Sequence, residues 1–134
     1  MAKTTNDTGE SLCPCGSRAA FSECCAPLLN GSRAALTAEQ LMRSRYSGFV
    51  TRNEHYLRET WHPSTRPSRV RLDEQQRWLG LKIRATDAGR EYDDSGTVEF
   101  VARFKIEGKG HRLHEVSRFE KVDGRWYYLD GQHL

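Results

Sequence analysis

Apolar residues change rhythm once along this chain. From Thr37 to Val50, Leu41, Met42, Tyr46, Phe49 and Val50 recur at three- and four-residue spacing, and Arg45 falls on the same stripe. That period belongs to a helix with one buried face. Thr37 stands where an N-cap is needed and Gln40 takes the capping-box position. Asn53 reads as a second N-cap, opening a short helix with Tyr56, Leu57 and Trp61 on its inner face. The segment His62-Pro63-Ser64-Thr65-Arg66-Pro67 ends it, because proline lacks an N–H and restricts the residue before it. Residues 68–76 are expected to add one or two more helical turns.

From Trp78 the period becomes two. Leu79, Leu81, Ile83 and Ala85 alternate with Gly80, Lys82, Arg84 and Thr86. After a turn at Asp93-Asp94-Ser95-Gly96, the cleanest strand places Val98, Phe100, Ala102, Phe104 and Ile106 inward and Glu99, Arg103 and Lys105 outward. A turn at Gly108-Lys109-Gly110 leads into His111–Val122, and the hairpin dipeptide Asp123-Gly124 leads into Trp126–Asp130. Helices first and then strands joined by short turns predict an antiparallel meander with its helices on one face, an α+β fold.

The start of the chain follows neither rhythm. Met1 to Glu10 is polar and without periodicity, which predicts a disordered tail. Residues 11–31 contain every cysteine: Cys13, Cys15, Cys24 and Cys25. A C-x-C pair followed by an adjacent C-C pair offers four sulfurs to one tetrahedral ion, and a closed four-thiolate site is structural. Pro14 and Gly16 suit the tight turn that aims Cys13 and Cys15 at one point. Disulfides would suit an oxidising compartment, yet the polar start lacks the apolar core of a signal peptide, so a cytoplasmic location is expected. No C-x-x-C stands beside a βαβ pattern, as a redox site would require. The expectation is one structural Zn²⁺ held by these four thiolates.

At 134 residues, with 29% charged and 37% hydrophobic, the composition fits one globular domain plus a small appendage. No apolar run approaches the ~20 residues that span a bilayer. The net charge is only +3 and the pI about 8.8, short of a dedicated nucleic-acid binder. A local basic excess at Arg66, Arg69, Arg71, Arg77, Lys82 and Arg84 reads first as solvated surface and second as an anion-binding patch.

Cys13-Pro14-Cys15-Gly16-Ser17 with Phe21 and Cys24-Cys25 resembles the SEC-C motif, a small zinc-binding module. The segments from Leu41 to Val50, Thr60-Trp61-His62, Arg118-Phe119 and Gly124 to Gly131 resemble the YchJ-like family of bacterial proteins. The resemblance implies an NTF2-like domain over residues 32–134, a curved sheet over helices enclosing a cone. That fold serves enzymes, binders and scaffolds alike, so it does not fix function.

Polar residues proposed for the cone are Arg43, Tyr46, Trp61, His62, His114 and Asp130, with Trp78 and Arg118 also considered. The expected walls are Leu41 or Met42, Tyr46, Trp61, Phe100 and Phe104. Arg43 and Arg45 lie about 100° apart on the helix, so only one belongs to the apolar stripe; pairing of such an arginine with Glu39 or an acid on the sheet competes with capture of an anionic ligand. His111 and His114 face opposite sides of their strand. No phosphate loop, G-x-S-x-G or H-E-x-x-H is present, which leans against an enzyme. The first functional reading is an adaptor whose zinc knuckle meets a protein partner. The second is a small-molecule binder or enzyme using the cone. The third and weakest is RNA binding by the knuckle and the Arg66–Arg84 segment; nucleic acid is otherwise not expected as a partner, and no membrane is.

Overall fold

The computed structural model describes residues 11–134; the expected disordered tail, residues 1–10, lies outside them. Helices α1 (Ala26–Leu29), α2 (Ala38–Val50) and α3 (Glu54–Glu59) precede strands β1 (Gln76–Ala88), β2 (Ser95–Ile106), β3 (Lys109–Val122) and β4 (Arg125–His133). The strands pair antiparallel in the order β1-β2-β3-β4. This is the α+β meander that the change of period predicts.

Both caps form as expected. The Thr37 hydroxyl accepts from the Gln40 N–H at 3.0 Å, and Asn53 Oδ1 accepts from the Tyr56 N–H at 3.0 Å. Each satisfies a donor left free by the first helical turn. The Gln40 side chain reaches back one residue beyond the cap, to the Leu36 N–H at 2.8 Å. The stripe of α2 buries Leu41, Met42, Arg45 and Tyr46, and α3 buries Tyr56 and Leu57. Leu41, Met42 and Tyr46 pack on Val98, Phe100, Ala102, Phe119 and Trp126 of the sheet's concave face, while α3 packs on α2.

Four expectations are corrected. Residues 68–75 form no helix; the Glu54 carboxylate gathers Arg69 and the Val70 N–H instead and ties the segment to the start of α3. Trp61 lies beyond the end of α3 and forms a parallel bridge with Tyr128. The alternation in β1 breaks between Trp78 and Gly80, so Trp78, Leu81 and Ile83 face inward while Leu79 is 53% exposed. A bulge inserts one residue and shifts the parity of what precedes it. The β2–β3 turn is also tighter than expected, with Glu107 and Gly108 at φ 50° and 82°; Asp123 and Gly124 repeat the pattern at 51° and 82°. Paired positive φ values suit a two-residue hairpin that follows the strand twist.

Candidate metal centre and cone

The segment before α1 builds a site from very little apolar material. Leu12 bridges Ala20, and the Cys13 N–H donates to the Ala19 carbonyl at 2.8 Å, closing a small loop. Gly16 takes φ 84°, a conformation that glycine adopts without steric cost. A short 3₁₀ turn, Phe21–Glu23, then delivers Cys24 and Cys25 to the N-terminus of α1. The Sγ atoms of Cys13, Cys15, Cys24 and Cys25 lie within 4.8 Å of one another. Cys15 and Cys24 are 3.6 Å apart at sulfur. A tetrahedron with metal–sulfur bonds of ~2.3 Å has edges of about 3.8 Å, so the donor set fits one ion.

The electrostatics point the same way. Hydrogen bonds from Cys13 and then Cys25 push the Cys15 thiol far down, whereas burial lifts Cys24 to about 11 and hydrogen bonding with Cys13 and Cys15 lifts Cys25 further. Sulfurs this close resist simultaneous ionisation until a cation joins them. Polar groups steady the cluster: Ser17 Oγ lies 3.1 Å from Cys24 Sγ, Ser47 Oγ lies 3.6 Å from Cys13 Sγ, and Arg43 Nη1 donates to the Cys15 carbonyl at 2.7 Å. Such partners orient metal ligands. Cys13, Cys15 and Cys25 are buried in the same core as Leu41, Met42 and Tyr46, so the knuckle sits on α2.

The cone is open. Its cavity, about 410 Å³, is walled by Met42, Phe49, Trp61, Trp78, Phe100, Phe104 and Leu113. Trp78 contacts Phe104 at 5.1 Å between ring centroids and Tyr46 at 5.5 Å, placing Tyr46 behind the wall. Arg45, His111, Glu115, Ser117 and Tyr128 supply polar groups. Arg45 is 4% exposed and has no carboxylate within ion-pair distance among the described residues. Its Nη1 donates to the Leu57 carbonyl and to Thr60 Oγ1, both at 2.7 Å, and the guanidinium lies between the rings of Trp61 (5.1 Å) and Tyr128 (4.5 Å). Burial lowers its pKa to about 10, so it stays charged at neutral pH. Burial, reinforced by Glu115, lifts the Tyr128 phenol to about 12.

Glu115 is the buried carboxylate of the cone. It accepts from Ser117 Oγ at 2.6 Å, with His133 Nε2 at 3.7 Å. Its side chain lies across Gly131, where a Cβ would collide with the carboxylate. Glycine at 131 therefore makes room for the acid.

Of the candidates Arg43, Tyr46, Trp61, His62, Trp78, His114, Arg118 and Asp130, Trp61 and Trp78 line the cone. Arg43 turns toward the knuckle and pairs with Glu39 at 3.0 Å. His62 is held by Ser64 at 2.7 Å and faces Glu120 at 3.5 Å, on the other side of β4. His114 pairs with Glu99 at 2.7 Å, and Asp130 with Arg118 at 2.6 Å, both on the convex face. Leu41 lines a separate small cavity between α1, α3 and β4. Sequence reasoning left His111, Glu115, Ser117 and Tyr128 out of the lining, and it placed Arg45 on the helix stripe without assigning it to the cone. A signal existed: Leu113, Glu115, Ser117 and Phe119 share parity on β3, so two polar groups stand on an inward face.

The family model for the middle NTF2-like domain of YchJ matches residues 37–131. A UPF0225 protein of Chromobacterium violaceum is 50% identical over 125 residues, covering 90% of this chain and 92% of the relative. A second, from Streptomyces coelicolor, is 49% identical over 122 residues, covering 91% and 95%. The solution structure of a SEC-C motif containing protein from Rhodopseudomonas palustris superposes with a TM-score of 0.81 at 35% identity, covering 92% of this chain and 98% of that one. A crystal structure of a SEC-C motif containing protein from Psychrobacter arcticus gives 0.73 at 28% identity, covering 89% and 80%. The chain belongs to the YchJ, or UPF0225, family.

Proposed function

We propose that in this member of the family the cone binds a small organic molecule, and that a zinc-filled SEC-C knuckle braces the helix forming one wall. The observation that carries this reading is the open cavity of about 410 Å³, with aromatic walls and convergent polar groups. An adaptor with no ligand of its own has no use for an unfilled core, since interiors otherwise pack densely. The lining favours a flat apolar body with an acidic head. The body would lie against Trp78, Phe100 and Phe104, and the head would approach the charge of Arg45, away from the Glu115 carboxylate that the Ser117 hydroxyl already engages. Zinc would be held by Cys13, Cys15, Cys24 and Cys25 with no open position, which gives it a structural role and no part in any chemistry of the cone.

No helix among the described residues is long and apolar enough to cross a membrane. The adaptor reading keeps one support: Arg18 and Ala19 are exposed at the tip of the knuckle, although Phe21 packs against the core.

The test is a thermal-shift screen of aromatic and aliphatic carboxylates. A ligand at a hundred times its Kd stabilises the native state by about 2.7 kcal/mol. Hits should be lost in Leu113→Trp, which fills the cavity, while that variant melts near the wild type. A broad library without a shift would remove the cone reading and leave the adaptor.

A further inference from the structure

The convex face of the sheet, opposite the cone, carries charge that the net value hides. Register places Arg77, Lys105 and Gly110 in one cross-strand row, Gly80, Arg103 and Arg112 in the next, and Lys82, Val101 and His114 in a third. Arg84 lies beside them at the second irregularity of β1. Arg77, Lys82, Arg84, Arg103, Lys105 and Arg112 are all exposed, and none has an ion-pair partner among the described residues. The three rows hold no acidic residue; Glu99, one row further on, is engaged by His114 at 2.7 Å.

At the opposite end of the same face the signs alternate. Arg118 grips Asp130 through paired hydrogen bonds of 2.6 and 2.5 Å, and Asp87 stands across Thr97 in that row. Arg103 directly opposite Arg112 is a destabilising arrangement, since like charges face each other across adjacent strands. A groove of about 260 Å³ runs between these side chains, with Gly80 and Val101 among its lining residues. Val101 is only 5% exposed, although the basic residues around it are exposed.

We propose that this end of the convex face binds the phosphate backbone of double-stranded nucleic acid. The strands set the cations on a fixed grid, about 4.8 Å across and about 6.8 Å between alternate residues along a strand. No Phe, Tyr or Trp stands in the three rows to stack an unpaired base, and the one ring there, His114, is held by Glu99. Contacts confined to phosphates position a duplex without reading its sequence. The site is separate from the cone, and neither depends on the other.

The test uses the full metal-loaded chain and short fluorescent RNA and DNA duplexes in an anisotropy titration. Binding at low salt should weaken linearly on a log–log plot with a slope of magnitude about 3 to 5, reflecting counterions released from phosphates. Arg103→Glu with Arg112→Glu should weaken binding roughly tenfold or more and lower the slope by about 2. Arg103→Glu alone converts a repulsive cross-strand pair into an attractive one, so its melting temperature should hold or rise while binding falls. Arg118→Ala, at the paired end, should leave affinity unchanged. No binding of either duplex, equal loss in Arg118→Ala, a preference for single strands, or binding to anionic vesicles in place of duplexes would overturn the proposal.

Discussion

The knuckle and the cone stand on the same helix and are built by opposite means. The knuckle has little apolar surface, so sulfur geometry and a few hydrogen bonds organise it. The cone is walled by aromatic side chains, and among its lining the buried Trp61 Nε1 has no hydrogen-bond partner. Helix α2 sends one arginine to each. Arg43 has a carboxylate partner and closes on the Cys15 carbonyl, while Arg45 is buried against rings and helix-end oxygens. The difference teaches that the two regions are coupled through α2 even though only one has an unfilled interior.

Metal removal is the strongest way to break this comparison. Chelation should release the knuckle, because metal binding there supplies the folding free energy. The sheet should persist by far-UV circular dichroism. Its melting temperature should nevertheless fall, because Leu41, Met42 and Tyr46 lose their cover of buried cysteines. Cys15→Ser should reproduce the effect, and an unchanged melting temperature would show the two regions to be independent.

The arginines sharpen it. Arg45→Met keeps the bulk but leaves the Leu57 carbonyl and Thr60 hydroxyl without their donor, at a cost of about 1–3 kcal/mol in urea unfolding. It should also abolish shifts by carboxylate ligands. Arg43→Met should lower the zinc affinity of the knuckle, read by competition with a chromophoric chelator, and leave ligand binding intact.

The smallest effect separates both regions from the rest of the surface. Arg69, together with the Val70 N–H, holds the Glu54 carboxyl below its usual range. A carboxylate with a depressed folded pKa stabilises the protein above its ordinary value of ~4.3, and that contribution fades as pH falls through the lower folded value. Wild type should therefore lose its advantage over Glu54→Gln in acid, while the Arg43 and Arg45 variants show no such convergence. The pair is exposed, so the difference should be slight beside the arginine effects.

Local chemistry was legible in the chain. The caps at Thr37 and Asn53, the stripe of α2, the Asp123-Gly124 hairpin and the cysteine cluster each depend on neighbours a few residues away, and periodicity plus side-chain type reports them. Strand order followed from short turns. The polar lining of the cone did not follow, because His62, His114 and Asp130 were assigned by proximity to elements while the face each occupies is set by register. Two irregularities in β1 and one between Arg118 and Phe119 shift that register locally. Glu115 needs the absent side chain of Gly131 on another strand, and the row joining Arg103 to Arg112 needs a strand pairing. A charge count averages over the whole surface, whereas folding sorts charges onto faces. The residues alone thus determined most of the elements and the cysteine cluster, and only the packed sheet decided which polar groups meet across it.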